Sequence, residues 1–326
     1  MKYHKKLHLF ELFSRNLQRW LPELDGQFMC PLCLRKFEKG ESPFPNRISG
    51  AHIWPKALGG REETVTCSDC NSKMGSTIEN HAANWARYIN IVHGDLAGNI
   101  KISIETGDGG EVNAQLVNEF DEEREVMVKN IKVLGEHSHP EHLKQFREDM
   151  KRFSVGSEFT FHHRNKFSPR EMRLTYLHMG YLLMFHYFGY EWVICPSSKV
   201  IREQLFRPKE KLIEPALIPI PTGNNFPDSD GHVELWFIYE PVEWIGYVAI
   251  TPRLSHYGGT RMGIRLPAFT ETYETPTLRS AQPRFFGPIS LRHSSLDAED
   301  DFRSYGALLA HDILKKYNPT LLVSMK

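Results

Sequence analysis

The sequence has no excess of charge, few cysteines and no long apolar segment. Its 326 residues carry 40 Lys and Arg against 40 Asp and Glu, and this balance argues against a protein that coats nucleic acid or anionic membranes by bulk electrostatics. Five cysteines are too few for a disulfide scaffold, and 40% hydrophobic residues exclude a disordered or collagen-like chain. The length fits about two domains, and it is sufficient to bury a hydrophobic core without disulfides or a metal ion.

The chain also shows no segment typical of export or of a membrane span. A basic start is followed by apolar residues that are interrupted by His8 and Glu11, without a small-residue cleavage site, which predicts an amphipathic helix rather than a signal peptide. The longest apolar stretch, residues 180–190, contains His186 and is far shorter than the ~20 residues that a bilayer requires. We therefore expect a cytoplasmic protein without membrane contact.

Several catalytic signatures are missing, but four of the five cysteines form two close pairs. There is no glycine-rich phosphate loop, nucleophile elbow, dinucleotide fingerprint or internal repeat. Cys30 and Cys33 form one C-x-x-C pair, and Cys67 and Cys70 form the other. Two such pairs supply the four sulfur ligands of a structural Zn²⁺ site, and a redox pair or unligated thiols are the alternatives. The fifth, Cys195, is expected to pack as a small buried hydrophobic residue.

The segment between the two pairs carries the most specific motif. It reads His-Ile-Trp-Pro from His52, continues to a Leu-Gly-Gly that ends at Gly60, and Asn71 follows the last cysteine directly, with Gly-Ser at 75–76. In this order and nesting, the motifs resemble the HNH endonuclease family, the zinc-knuckled ββα-metal nucleases, over about residues 28–80. The resemblance implies a metal-dependent nuclease that cleaves DNA, of a kind that serves bacterial or phage conflict.

The resemblance also implies roles for two residues. Hydrolysis of a phosphodiester requires a base that deprotonates water and a divalent cation that neutralises charge on the phosphate. His52 occupies the position of the general base, a task that suits an imidazole at neutral pH. Asn71 occupies the position of a metal ligand, and its amide oxygen suits Mg²⁺ or Mn²⁺. A structural histidine and a helix-capping asparagine are the alternatives for these two residues.

The sequence departs from the family pattern at two places. Most members carry a metal-ligating residue directly before the histidine, whereas this chain has Ala51, and the middle asparagine of the family motif is missing. Candidate substitute ligands are Glu62, Glu63 and Thr64 near the missing asparagine, and Glu79 and His81 on the helix that follows. A solvated helix face is the alternative for Glu79 and His81. Because of Ala51, the alternative function is a catalytically inactive zinc-binding module for nucleic acid or protein.

The N-terminal part of the neutral chain is slightly basic. Residues 1–99 contain 13 Lys and Arg against 10 Asp and Glu, a balance of +3. Lys56 and Arg61 flank the Gly-Gly turn next to His52, and we predict that they bind nucleic acid, DNA most of all. The oligomeric state has no signature in the sequence.

The predicted fold class is α+β. An N-terminal zinc-bound ββα-metal finger precedes a mixed α+β domain with a long central helix and a mostly antiparallel sheet. The predicted divisions are an N-terminal helix at 1–27, the HNH-like nuclease domain at 28–95, a hairpin-containing connector at 96–165, and a C-terminal α+β domain of unknown role at 166–326.

Local patterns predict further elements. Alternating residues around a glycine turn predict a hairpin over 100–117, and a Ser-Pro-x-Glu capping box at Ser168 predicts a helix to about 187, ended by Gly189. We also expect a strand at 190–194, a helix at 198–205, a proline-rich connector at 208–228, strands at 233–239, 244–250 and 261–265, and a helix at 298–315.

Overall fold

The structure is a computed structural model of the chain, and its fold is α+β, as predicted. It describes residues 3–38, 47–60, 63–154, 160–163, 167–220, 232–240, 244–254, 260–267 and 284–286. The helix predicted at 298–315 lies outside the described residues. Within them, no helix combines the length and apolar character that a membrane span requires.

Three of the described helices lie at their predicted positions: the N-terminal helix, the long helix after Ser168 and the helix that contains residues 198–205. The described helices are α1 (Tyr3–Trp20), α2 (Ser68–Met74), α3 (Asn80–His93), α4 (Pro140–Lys151), α5 (Pro169–Phe188), α6 (Tyr190–Ile194) and α7 (Pro196–Phe206). A π turn, Gly75–Glu79, joins α2 to α3 without a break, because the residues at both of its ends have right-handed helical dihedral angles.

The described strands pair antiparallel throughout. They are β1 (Gln27–Met29), β2 (Lys36–Glu38), β3 (Ile48–His52), β4 (Glu63–Cys67), β5 (Gly98–Glu105), β6 (Glu111–Asp121), β7 (Val126–Val133), β8 (Phe161–His163), β9 (Leu217–Ile220), β10 (Glu234–Glu240), β11 (Trp244–Ile250), β12 (Arg261–Pro267) and β13 (Arg284–Phe286). Strands β1 and β2 form one hairpin and β3 and β4 another, while the larger sheets have the orders β7-β6-β5-β8 and β13-β10-β11-β12-β9.

The chain divides into two compact units. One unit combines residues 1–82 with residues 169–326, and the other comprises residues 83–168. The second unit contains the β5–β8 sheet, whose apolar face packs on the last part of α3 through Ile91, Ile100 and Ile102. The four functional divisions expected from the sequence stay a prediction, since compactness does not test function.

Helix α5 is the centre of the first unit. Most of its side chains are buried, and they share one apolar core with α1, the two N-terminal hairpins, α6 and α7. Pro169 starts the helix, as predicted, because proline fixes a helical φ and needs no hydrogen-bond acceptor at that position. Gly189 ends it with a φ of +59°, and a Cβ atom there would overlap the amide of Asn16.

Two local predictions were wrong. Residues 190–194 form helix α6 rather than a strand, because they pack against the helices α1, α5 and α7, with Tyr190 and Trp192 buried. The proline-rich stretch predicted as a connector contains strand β9, which tolerates Pro219 because β9 is the edge strand of its sheet.

Candidate metal centre and candidate active site

The four paired cysteines come together at one point. Their sulfur atoms all lie within 4.8 Å of one another, and the Sγ atoms of Cys33 and Cys67 are 3.7 Å apart. Sulfur ligands at about 2.3 Å from a tetrahedral Zn²⁺ are separated by about 3.8 Å, whereas a disulfide requires about 2.05 Å. The donor set and its spacing therefore fit a metal ion such as zinc. In the part of the chain that the structure describes, no other group of three or more His, Cys, Asp or Glu residues has comparable geometry.

The first cysteine pair lies in a tight turn after β1. The backbone N–H of Leu34 donates to the carbonyl of Cys30 and the N–H of Cys30 donates to the carbonyl of Arg35, both at 2.9 Å. Leu34 closes the turn with a φ of +61°, a left-handed conformation that costs a non-glycine residue about 1–2 kcal/mol. Metal binding at Cys30 and Cys33 would offset this cost, because the free energy of metal binding stabilises the turn that holds the two ligands.

The second pair lies where β4 passes into α2. Cys67 is the N-cap of the helix, and its sulfur accepts a hydrogen bond from the N–H of Cys70 at 3.4 Å. The N–H of Cys67 in turn donates to the sulfur of Cys30 at 3.4 Å, which links the two pairs. Hydrogen bonds from backbone N–H groups stabilise sulfur in its thiolate form, which is the form that binds metal.

Burial and mutual hydrogen bonding set the protonation of the four thiols. Burial raises the pKa of Cys30 well above its usual value. Hydrogen bonds from the Cys30 and Cys67 thiols hold the pKa of Cys33 far below its usual range, and a hydrogen bond from Cys30 lowers the pKa of Cys67 to about 7. Cys33 and Cys67 are thus the thiols of the cluster that favour negative charge, which a divalent cation would neutralise.

Helices α5 and α6 hold the backbone on both sides of Cys30. The hydroxyl of Tyr181 donates to the carbonyl of Pro31 at 2.6 Å. The hydroxyl of Tyr190 accepts from the N–H of Met29 at 2.9 Å and also donates to the carbonyl of that residue. These contacts join residues more than 140 positions apart in the chain, and no local sequence pattern indicated them.

His52 is the last residue of β3, and the motif after it is anchored in the core. The side chain of His52 is half-buried, while Trp54 is fully buried, with its ring centre 5.3 Å from that of Tyr176. The indole N–H of Trp54 donates to the carbonyl of Leu58 at 3.1 Å. A Cβ atom at Gly60 would overlap the backbone of Trp54, so the motif requires glycine there. The packing of Trp54 fixes the direction in which the chain leaves His52.

Asn71 lies in the first turn of α2 and contacts β3. Its Nδ2 atom donates a hydrogen bond of 3.1 Å to the hydroxyl of Ser49, three residues before His52. Cys67 rather than Asn71 is the N-cap residue of α2, so the interpretation of Asn71 as a helix cap was wrong. Ser49 was not among the residues predicted from the sequence, since its role depends on the contact between the hairpin and the helix.

The other predicted residues occupy different environments. Ala51 is only 2% exposed and belongs to the apolar core. Glu79 forms an ion pair with His178, with 2.9 Å between Oε1 and Nδ1, and it lies eight helical residues beyond Asn71, a rise of about 12 Å. Glu63 is the cross-strand partner of His52 in the β3–β4 register. His81 is half-buried in α3, Lys56 is exposed in a short turn after Pro55, and Glu62 and Arg61 lie outside the described residues.

Comparisons with known proteins identify the class of this segment. Residues 30–85 match the sequence model of a family described as HNH endonuclease. The HNH resemblance expected from the motifs is therefore confirmed for this part of the chain, and it indicates a nuclease that interacts with nucleic acid. No curated protein and no solved structure matches the chain.

Proposed function

We propose that the protein is a metal-dependent endonuclease of the HNH type that hydrolyses phosphodiester bonds in DNA. The observation that carries the proposal is the contact between Asn71 and Ser49, which holds the start of α2 against β3 close to His52. The cysteine cluster also holds the start of α2, because Cys67 and Cys70 flank its junction with β4, the strand that pairs with β3. We assign Zn²⁺ to the four cysteines as a structural ion, since four sulfur ligands leave no open position for chemistry.

His52 acts as the general base in this proposal. An imidazole side chain is suited to take a proton from the attacking water near neutral pH. Its place at the end of β3, directly before the buried Ile53 and Trp54, keeps its backbone fixed during the reaction. A base held in this way loses little conformational freedom when the transition state forms.

Asn71 acts as a ligand of the divalent cation. The hydrogen bond from Nδ2 to Ser49 orients the amide, so that Oδ1 is the atom available to Mg²⁺ or Mn²⁺. When bound, the cation neutralises negative charge that develops on the phosphate and the leaving oxygen. We keep Glu63 as a further predicted ligand because it is paired with His52 across the hairpin, and Glu62 and His81 stay predictions as well.

One observation favours a second candidate function. The family position for a metal-ligating side chain is occupied by Ala51, and its burial shows that this position contributes to packing. A chain in which that change abolished cation binding would be a catalytically inactive zinc module that binds nucleic acid or protein.

Nicking of supercoiled plasmid DNA tests the two candidates. We expect nicking in Mg²⁺ or Mn²⁺, and we expect Asn71→Ala to raise the cation concentration for half-maximal nicking about tenfold or more. Asn80→Ala is the matched control, because Asn80 is exposed on the same continuous helix, and it should behave as wild type. The absence of nicking by wild-type protein in either cation, with zinc bound, would establish the inactive module instead.

A further inference from the structure

Arg202 of α7 is a buried cation whose hydrogen bonds go to uncharged groups. Only 5% of its surface is exposed. Its Nη1 atom donates to the hydroxyl of Tyr181 at 3.2 Å, to the carbonyl of Val193 at 2.7 Å and to the hydroxyl of Ser198 at 2.9 Å. Among the described residues, no Asp or Glu forms an ion pair with it. Because burial removes the hydration of a charge, a cation in such a place normally has a compensating anion.

The cysteine cluster is a buried anion when it holds zinc. Three of its four cysteines are buried and Cys33 is half-buried. Four thiolates carry more negative charge than one Zn²⁺ ion neutralises. Arg35, two residues after Cys33, lies at the surface, where it forms an ion pair of 2.7 Å with Asp69. The loaded cluster therefore favours a further cation on its buried side.

Tyr181 connects Arg202 to the cluster. The tyrosine hydroxyl, which accepts the hydrogen bond from Arg202, donates to the carbonyl of Pro31 at 2.6 Å, and Pro31 directly follows Cys30. Two hydrogen bonds therefore separate the guanidinium from the turn that carries Cys30 and Cys33. Burial raises the pKa of Tyr181, while Arg202 lowers it and Cys30 raises it, so both residues act electrostatically on the same hydroxyl.

We propose that Arg202 is the counter-charge of the metal–thiolate cluster, and that its positive charge raises the affinity of the four cysteines for Zn²⁺. The proposal rests on the proposed function, in which Zn²⁺ is the structural ion of the cluster. The attraction is strong because a protein core screens charges much less than water does. Zinc loading of the finger thus depends on α7, a helix outside the segment that matches the HNH family.

The zinc affinity of three variants tests the counter-charge. The experiment measures the dissociation constant of Zn²⁺ for the full-length protein by competition with a chelator, at low and at high salt. Arg202→Gln keeps a hydrogen-bond donor and removes the charge, whereas Arg202→Lys keeps the charge. Arg207→Gln is the matched control, because Arg207 directly follows the same helix and is exposed in an ion pair with Glu210.

The variants should differ in their zinc affinity. Arg202→Gln should bind Zn²⁺ about tenfold or more weakly than the wild type at both salt concentrations, because ions screen buried charges little. Arg202→Lys should stay close to the wild type, and Arg207→Gln should equal it, since water screens an exposed guanidinium. Equal losses in Arg202→Gln and Arg202→Lys, or wild-type affinity in Arg202→Gln, would overturn the counter-charge alone. The absence of zinc binding by the wild type would overturn the assignment of Zn²⁺ as well.

Urea unfolding with and without zinc separates the charge of residue 202 from its packing. Without the metal, the thiols carry less negative charge, so Arg202→Gln should be at least as stable as Arg202→Lys. With zinc bound, Arg202→Lys should be the more stable of the two, because the loaded cluster favours a cation at this position. A lower stability of Arg202→Gln in both states would show that residue 202 acts through packing and hydrogen bonds, and would overturn the counter-charge.

Discussion

The hydroxyl of Tyr181, in the middle of α5, donates a hydrogen bond of 2.6 Å to the carbonyl of Pro31, inside the first cysteine pair. The same hydroxyl accepts a hydrogen bond from Nη1 of Arg202 at 3.2 Å, and all three residues are buried. The turn that carries Cys30 and Cys33 is thus supported by Tyr181 of α5 and Arg202 of α7, which follow Pro31 by 150 and 171 positions. The helices after the finger belong to the same core as the finger itself.

Replacement of Tyr181 by Phe should destabilise the turn that carries Cys30 and Cys33. The change leaves the carbonyl of Pro31 and the guanidinium of Arg202 with one partner fewer in a buried place, which costs about 1–3 kcal/mol. We expect a lower free energy of unfolding in urea and faster release of zinc to a competing chelator. Tyr88→Phe, in the other compact unit, is the control and should release zinc at the wild-type rate. Equal rates for both variants would show that Tyr181 does not support the turn.

Loss of one cysteine ligand should remove the metal and destabilise the fold. We expect about one zinc per wild-type chain and much less in Cys33→Ser, with a lower thermal midpoint, because metal binding to such a site contributes directly to folding. Cys195→Ser is the matched control, since the Sγ atom of Cys195 lies 3.1 Å from the hydroxyl of Ser197 and takes no part in the cluster. Equal zinc content in the two variants, measured by elemental analysis, would contradict the assignment.

The two glycines Gly60 and Gly75 should respond differently to alanine. A Cβ atom at Gly60 would overlap the backbone of Trp54, which should cost about 1–3 kcal/mol and shift the chain next to His52. A Cβ atom at Gly75 has open space in a continuous helix, so Gly75→Ala should be neutral or stabilising by up to about 1 kcal/mol. Chemical denaturation of both variants measures the difference. A Gly60→Ala protein as stable as wild type would refute the packing role of the motif.

Glu191 should make the fold less stable as the pH rises. Burial raises the pKa of its carboxyl to about 7 from a usual value near 4.5. Between these two values the folded state binds more protons than the unfolded state, so the free energy of unfolding falls as the pH increases through this window. Glu191→Gln should remove this loss, and its stability advantage over wild type should grow from pH 4.5 to 7 and then stay level. An advantage that does not change with pH would contradict the prediction.

His186 should make the fold more stable as the pH rises, which is the opposite of the effect of Glu191. Burial lowers the pKa of its imidazole to about 4 from 6.5, so the unfolded state binds the extra proton between these values and stability rises with pH there. The contributions of His186 and Glu191 oppose each other from about pH 4.5 to 6.5. The Glu191→Gln variant should therefore expose a rise in stability over this range that is weak in the wild type, as measured by urea unfolding at each pH.

Elements with strong local signals were predicted well from the sequence. The pattern around Ser168 and Pro169 predicted α5, and the glycine turn predicted the hairpin of β5 and β6, because both depend on neighbouring residues. Helix α6 and strand β9 were missed, because their states depend on non-local partners. The surrounding helices determine the state of α6, and pairing with β12 determines that of β9.

In the candidate site, too, the features that depend on local spacing were predicted and those that depend on distant residues were not. The order of the cysteine pairs and of His52 was sufficient to predict the metal cluster and the family, since spacing along the chain limits which atoms can meet. The contact of Asn71 with Ser49, and the ion pair of Glu79 with His178, join residues 22 and 99 positions apart. Such contacts follow from the packing of complete elements, which one sequence does not determine by local pattern.

The central claim is that His52 is the base of a cation-dependent endonuclease, and plasmid nicking by His52→Ala tests it most directly. In Mg²⁺ or Mn²⁺ we expect nicking to fall about 100-fold or more, which is typical for loss of a general base, while zinc content and DNA binding stay unchanged. His137→Ala, at an exposed histidine of the other compact unit, should nick as wild type does. Equal nicking by wild type and His52→Ala, or none by either, would contradict the account.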